Sequence, residues 1–267
     1  MRLIIFSDLD GTLLDHKTYS FKDAEPGLKL IKKKNIRGKN IALVLCTSKT
    51  AEETKYYLGK IGMKEPFIVE NGGAIYIPKD YFSIEFKYQR EEDGYLIIEL
   101  GTRYYRLRRA LKNIREQLRD SIIIGFGDMK LDELVKDTKL PPYEAERAKR
   151  RGYDEPFKFK GDEQRLKELV RQNQLRIVKG GRYYHLIGNN DKGEAVKILT
   201  SLFKKQFKRE IRSIAIGDSK ADLPMLDAVN AGYLVMRGDG SYASENYLKA
   251  HGIGPKGWVW VIKKEVS

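Results

Sequence analysis

The sequence predicts an α/β protein: a doubly wound, parallel-sheet, Rossmann-like core with an inserted α+β segment. Three observations carry this. Short apolar runs at residues 3–9, 41–47, 67–69 and 213–217 end in Asp, Thr, Asn or Gly and alternate with helical stretches, as buried parallel strands do. Between residues 81 and 187 the rhythm changes to half-exposed alternation. The 267 residues are also more than one hydrophobic core usually organises. The expected division is a core of 1–80 plus 188–267 and a cap of 81–187.

In chain order, the run 3–9 opens the core sheet, and helical spacing predicts helices over 23–35, 50–61, 191–207 and 221–230. Joined to the apolar runs, these make right-handed βαβ units. In the insertion, 82–88 and 95–100 alternate like strands, 102–118 is a long amphipathic helix, and 122–124 and 157–160 are short strands. A helix over 162–173 and a strand pair over 176–186 follow, with Lys179-Gly180-Gly181-Arg182 as the hairpin turn. Pro141-Pro142 marks a local turn.

Composition excludes several function classes. The net charge is +14, yet Lys and Arg outnumber Asp and Glu by 13 to 9 over 1–78, 25 to 19 over 79–187 and 13 to 9 over 188–267. An excess spread this evenly describes solvated helix faces and no nucleic-acid footprint. No segment has the ~18 consecutive apolar residues of a membrane span, and the start of the chain turns acidic too early for a signal peptide, so a cytoplasmic protein is expected. Cys46 stands alone and is expected in the core. Heavy Lys, Arg and Glu usage fits a source living at high temperature.

Open parallel sheets bind ligands beyond the carboxyl ends of their strands. Those ends carry Asp8-Leu9-Asp10-Gly11-Thr12, then Cys46-Thr47-Ser48-Lys49, then Gly217-Asp218-Ser219-Lys220-Ala221-Asp222, with Asn190-Asp191-Lys192 opening the helix that precedes the last strand. Taken singly, Asp191 and Asp222 read equally well as helix caps, and a Thr or Ser before a helix, such as Thr47 or Ser48, is a cap in most proteins. Asp8 and Asp10 are different: two carboxylates one residue apart at a buried strand end repel unless a cation or proton neutralises them. Carboxylates, a hydroxyl and a lysine at one sheet edge describe a site for a divalent cation and a phosphoryl group. Oxygen ligands with no His or Cys cluster select a hard ion, Mg2+.

In order and spacing these four motifs resemble those of the haloacid dehalogenase-like phosphatases, and the long insertion resembles the cap of the Cof-type subclass. The resemblance implies that Asp8 is the nucleophile and Asp10 the general acid and base, with Lys192 neutralising charge. It implies that Gly11, Thr12, Thr47 and Ser48 surround the phosphoryl group, and that Asp8, Asp218, Asp222 and the backbone of Asp10 hold the metal. A further resemblance, to the mannosyl-phosphoglycerate branch of the subclass, lies in Thr47-Ser48-Lys49-Thr50, in Pro66 to Gly73, in Arg151-Gly152-Tyr153-Asp154-Glu155-Pro156-Phe157 and in Gly180 to His185. There the second motif reads Thr-Ser-Lys, where the wider subclass has Thr-Gly-Arg. The resemblance implies hydrolysis of a phosphorylated sugar acid, mannosyl-3-phosphoglycerate, to mannosylglycerate, a compatible solute. Asn71, Arg151, Glu155 and Arg182 are then candidate substrate contacts, although Tyr183, Tyr184 and His185 read equally well as hairpin packing. A broader sugar phosphatase or a phosphomutase is the enzyme alternative; a nucleic-acid-binding module on a decayed hydrolase core is the non-enzyme one. No membrane partner is expected, and the protein is expected to be a monomer or homodimer.

Overall fold

The structure, a computed structural model, describes residues 2–38, 40–180, 182–208 and 210–266. Its centre is a five-stranded, wholly parallel sheet in the order Leu248–Ile253, Ala231–Met236, Ile211–Gly217, Arg2–Ser7, Ile41–Leu45. Both faces are covered, which is why its strands read as continuous apolar runs. Ile5, Leu43 and Ile214 point to one side, against Trp258, Ile262, Ile31 and Tyr57; Ile4, Phe6 and Val44 point to the other, against Val196, Leu199 and Phe203. The fold is the expected α/β class.

The helices have local causes. Ala51–Ile61 opens on a capping box between Thr50 and Glu53 and closes at Gly62, whose φ of 69° suits glycine. Such a cap contributes about 1 kcal/mol. Lys192–Phe207 is capped by Asp191, whose side chain accepts from Glu194 N at 2.9 Å.

Several expectations are corrected. Phe67–Val69 is not a strand of the parallel sheet; it touches it through one parallel bridge, Cys46 to Ile68, and pairs antiparallel with Ala74–Pro78. Glu70, Asn71 and Gly72 all have positive φ (49°, 57° and 84°) and turn the chain straight back on itself. Tyr95–Glu99 and Arg90–Glu92 complete that four-stranded sheet, which takes strands from both sides of residue 80. No strand forms over 82–88. Phe82 instead packs on Phe203, ring centroids 5.1 Å apart, so the alternation there reflects burial against a helix without a ladder.

A second four-stranded antiparallel sheet runs Ile122–Gly125, Asp154–Lys160, Tyr184–Ile187, Arg176–Lys179, with Leu107, Leu111, Ile114, Leu166 and Val170 of helices Tyr104–Gln117 and Glu163–Gln172 on one face. The 176–186 strand pair is therefore present; Gly181 of its expected turn lies outside the described residues. Pro141-Pro142 is a helix start, with Pro142 opening Pro142–Lys149 where its missing N–H costs nothing. Leu131–Thr138 is a second helix absent from the sequence reading, and 221–230 shortens to a 3-10 turn, Lys220–Asp222, followed by Leu223–Asp227.

Candidate active site

The strand Arg2–Ser7 delivers Asp8 to the sheet edge, and the chain turns sharply at Gly11, with φ 79°. A β-carbon at Gly11 would stand 2.7 Å from Asp218 Oδ2, so glycine is what lets the first and last motifs meet. Trp258 Nε1 donates to Ser7 Oγ at 2.9 Å and Ser7 Oγ donates to Asp8 O at 2.7 Å, fixing the backbone under the turn.

Lys192, buried, donates from Nζ to Asp8 Oδ1 at 2.8 Å and to Asp222 Oδ1 at 2.6 Å. Thr12 Oγ1 donates to the other oxygen of Asp8 at 3.1 Å. Asp222 Oδ2 accepts from Ser219 N at 2.9 Å, Ser219 Oγ at 2.8 Å and Asp218 N at 3.2 Å. Asp222 is therefore not the helix cap that sequence alone allowed but the third residue of a capping box opened by Ser219, and it is a member of the site. Its oxygens are engaged by Lys192 and the 218–219 backbone, while Asp218 is held through its backbone, its N–H donating to Asp222 Oδ2 at 3.2 Å and its carbonyl accepting from Arg237 Nε at 2.9 Å.

Asp8, Asp218 and Asp222 each bring a carboxylate oxygen within 4.8 Å of the others, an arrangement that suits a divalent cation. The electrostatics agree. Burial, together with Asp222 and Asp10 and against the pull of Lys192, pushes Asp8 up to about 7. Burial, then Asp222 and Asp8, push Asp218 up to about 8. Two carboxyls that resist ionisation are in the state a bound cation reverses. Burial would lower the Lys192 pKa, yet Asp222 and Asp8 outweigh it and drive it upward, so the ammonium is permanent. Burial pushes the Cys46 thiol up as well, consistent with a core residue.

Asp10 faces elsewhere. Its Oδ2 is 3.0 Å from Lys49 Nζ, and its Oδ1 is shielded from solvent with no hydrogen-bond partner among the described residues. Its side chain is thus outside the three-carboxylate cluster. Thr47 is buried at the end of Ile41–Leu45, its Oγ1 accepting from Lys49 N at 3.1 Å and its carbonyl accepting from Asn71 N at 3.0 Å. Ser48 is half-buried, and its carbonyl accepts from Arg151 Nη1 at 2.9 Å.

The insertion meets this rim through Arg147 to Asp154. Arg147 O accepts from Thr50 Oγ1 at 3.0 Å, and Glu70 accepts from Gly152 N and Tyr153 N at 2.8–3.1 Å. Burial outweighs Arg151 and raises the Glu70 carboxyl to about 7. Asn71 Nδ2 donates to Asp154 Oδ2 at 3.0 Å, and His185 Nδ1 lies 2.8 Å from the same oxygen. Of the candidate substrate contacts, Asn71 and Arg151 thus stand on the rim. Glu155 points to the opposite face of its strand, bonded to Arg108 Nη1 at 2.8 Å and Gly127 N at 3.1 Å. Arg182 is exposed, with its guanidinium on the carbonyls of Asp137 and Thr138. Sequence reasoning named Asp154, Glu70 and Asn190, whose Nδ2 donates to Asn71 O at 3.1 Å, only within longer motifs, and it passed over Arg237. For Asp154 a signal existed: strand alternation lets only one of Asp154 and Glu155 face the rim.

Among known proteins, the family model for haloacid dehalogenase-like hydrolases matches residues 5–244. A Methanococcoides burtonii protein named glucosyl-3-phosphoglycerate/mannosyl-3-phosphoglycerate phosphatase is 47% identical over 97% of this chain and 95% of its own. A Pyrococcus furiosus mannosyl-3-phosphoglycerate phosphatase is 36% identical over 87% of this chain and 90% of its own. The crystal structure of Thermoplasma acidophilum 0175 superposes over the whole of both chains with TM-score 0.66 at 17% identity, a likeness of fold.

Proposed function

The chain belongs to the haloacid dehalogenase-like hydrolases, and from that membership we propose that it is a Mg2+-dependent phosphatase releasing inorganic phosphate from a glycosyl-3-phosphoglycerate. The observation that carries the reading is Lys192 set between Asp8 and Asp222, with Asp218 completing a three-carboxylate cluster. The sugar is mannosyl or glucosyl. The relatives' names include both, which widens the mannosyl substrate implied by sequence resemblance.

In this reading one carboxylate oxygen of Asp8 attacks phosphorus while the ester P–O bond breaks, its electron pair leaving on the glycerate oxygen. Asp10 gives that oxygen a proton. Water then attacks the aspartyl-phosphate, Asp10 takes its proton, and phosphate departs with the Asp8 carboxylate restored. Lys192 neutralises charge on Asp8 and on the equatorial phosphoryl oxygens, with Gly11, Thr12, Thr47 and Ser48 around them. Asp8, Asp218, the backbone carbonyl of Asp10 and Asp222, whose oxygens Lys192 and Ser219 orient, would hold Mg2+. The ion, when bound, supplies charge neutralisation between nucleophile and phosphate.

Residues 1–80 and 188–267 serve in this reading as the catalytic unit, which contributes Asn71, and 81–187 as the cap that selects substrate through Arg151, Arg182 and their neighbours. Glu155 supports that cap from within. Among the described residues no helix is long and apolar enough to cross a membrane, which is compatible with a cytoplasmic enzyme acting on a small molecule. The test is phosphate release from synthetic mannosyl- and glucosyl-3-phosphoglycerate with Mg2+ and with EDTA, and with the Asp8→Asn variant. Preferential turnover of simple hexose phosphates would overturn the substrate, and normal turnover by Asp8→Asn the covalent route.

A further inference from the structure

Lys49 stands where the wider subclass resemblance expects arginine, and the phosphoryl site leaves it without a task. The residue is buried, and its ammonium has two carboxylate neighbours: Asp10 Oδ2 at 3.0 Å and Glu53 Oε1 at 3.3 Å. The rings of Tyr19 and Tyr57 close over it, with centroids 5.0 and 5.8 Å from Nζ. Glu53 is itself immobile: Oε2 accepts from Thr50 N at 2.9 Å in the capping box and lies 3.9 Å from Arg151 Nη2. A fixed path therefore runs from the start of helix Ala51–Ile61 through Glu53 and Lys49 to Asp10.

The other end of that path is informative. With Asp10 Oδ2 tied to Lys49, the carboxyl plane is set, and the remaining oxygen, Oδ1, is shielded from solvent and has no hydrogen-bond partner among the described residues. A buried carboxylate oxygen left bare is costly unless something arrives to use it. We propose that Lys49, braced by Glu53, is a positioning residue that locks Asp10 so that Oδ1 meets the oxygen of the departing alcohol. This deepens the phosphatase reading and rests on Asp10 as the proton donor. The proton passes from Asp10 Oδ1 to the alkoxide oxygen as the P–O bond breaks and the Asp8–phosphorus bond forms. Without Lys49 the carboxyl is free to rotate, and misplacement by about 1 Å at a reacting group costs on the order of 10²-fold.

The experiment compares two esters on the full-length Mg2+-loaded enzyme: a glycosyl-3-phosphoglycerate, whose alkoxide needs the proton, and p-nitrophenyl phosphate, whose phenolate leaves with little help. Because Asp10 also activates water in the second step, which both esters share, the readout is the single-turnover rate of alcohol release: Lys49→Met is expected to lower it on the first ester by about 10²-fold and on the second by no more than about fivefold, with Lys49→Arg recovering much of the loss. Asp10→Asn sets the reference pattern. Equal losses on both esters, or a rise in KM with kcat unchanged, overturn the positioning role while leaving the phosphatase reading intact. If Asp10→Asn itself fails to discriminate the esters, Asp10 is not the donor and the proposal falls with it. Should Lys49→Met not melt cooperatively, Glu53→Gln, which loosens Lys49 without removing it, carries the same test. Its expected loss is about fivefold or more, confined to the alkyl ester.

Discussion

Lys192 Nζ sits 2.8 Å from Asp8 Oδ1, joining residues 184 positions apart in a pocket where the lysine is 2% exposed. An ammonium this far from water is held only because Asp8 and Asp222 both face it, and each of them is tolerated only because of the ammonium.

Removing that charge should be felt twice. Lys192→Met is expected to lower phosphate release by about 10³-fold or more, since charge on the phosphoryl group is left uncompensated. It should also destabilise the metal-free fold by about 3–5 kcal/mol, because two buried carboxylates lose their partner. Turnover and thermal melting in EDTA measure the two effects separately; a normal melt would show that the pair contributes nothing to folding.

The site should couple metal to pH. Folded-state pKa values of about 7 for Asp8 and about 8 for Asp218 lie above the ordinary carboxyl value, so the metal-free native state holds protons that the unfolded chain has given up. These two groups therefore cost no stability below about pH 4, and their cost grows as pH rises toward 7–8. A bound cation removes the cost by replacing the protons. Mg2+ is thus expected to raise the melting temperature more at pH 8.5 than at pH 5.5, measured by thermal shift against EDTA. Equal increments at the two values would rule out proton–metal competition at these carboxyls.

Gly11→Ala should weaken the metal site more than the fold. The left-handed φ of 79° costs an added side chain about 1–2 kcal/mol. The new methyl would also stand 2.7 Å from Asp218 Oδ2 and must displace it. The expected outcome is a fall of a few degrees in melting temperature and about a tenfold or greater rise in the Mg2+ concentration for half-maximal activity, read from a metal titration.

Asp154 should act as a joint between the insertion and the Thr47 rim. Its buried carboxylate takes Asn71 Nδ2 at 3.0 Å and faces His185 Nδ1 at 2.8 Å, and Asn71 N reaches Thr47 O at 3.0 Å. Asp154→Ala leaves both side chains without that partner and is expected to cost about 2–4 kcal/mol, with a larger rise in KM than fall in kcat. Denaturant unfolding and steady-state kinetics check the two parts; a kcat-only defect would point to a direct role in chemistry instead.

Much of this was legible in the chain itself. Apolar runs ending in Asp8, Thr47 and Gly217 located three strands of the parallel sheet, because a strand buried on both faces has no polar alternation to blur it. The pair Asp8 and Asp10 announced charge chemistry on electrostatic grounds alone. Where elements were misread, burial imitated pairing: Phe82, Ile84 and Phe86 alternate because one side rests on Phe203 and its neighbours, and Phe67–Val69 looks like a core strand because it is fully buried.

Residue identity and spacing by themselves determined the fold class and the set of reactive groups at one sheet edge, since periodicity and charge repulsion act locally along the chain. What only the tertiary structure decided is which groups share an oxygen or a proton. It turned Asp10 away from Asp218 and toward Lys49, put Asp154 rather than Glu155 against Asn71, and made Asp222 the partner of Lys192. Such pairings depend on distances of about 3 Å between segments that meet only after the sheet is assembled, and no local rule fixes them.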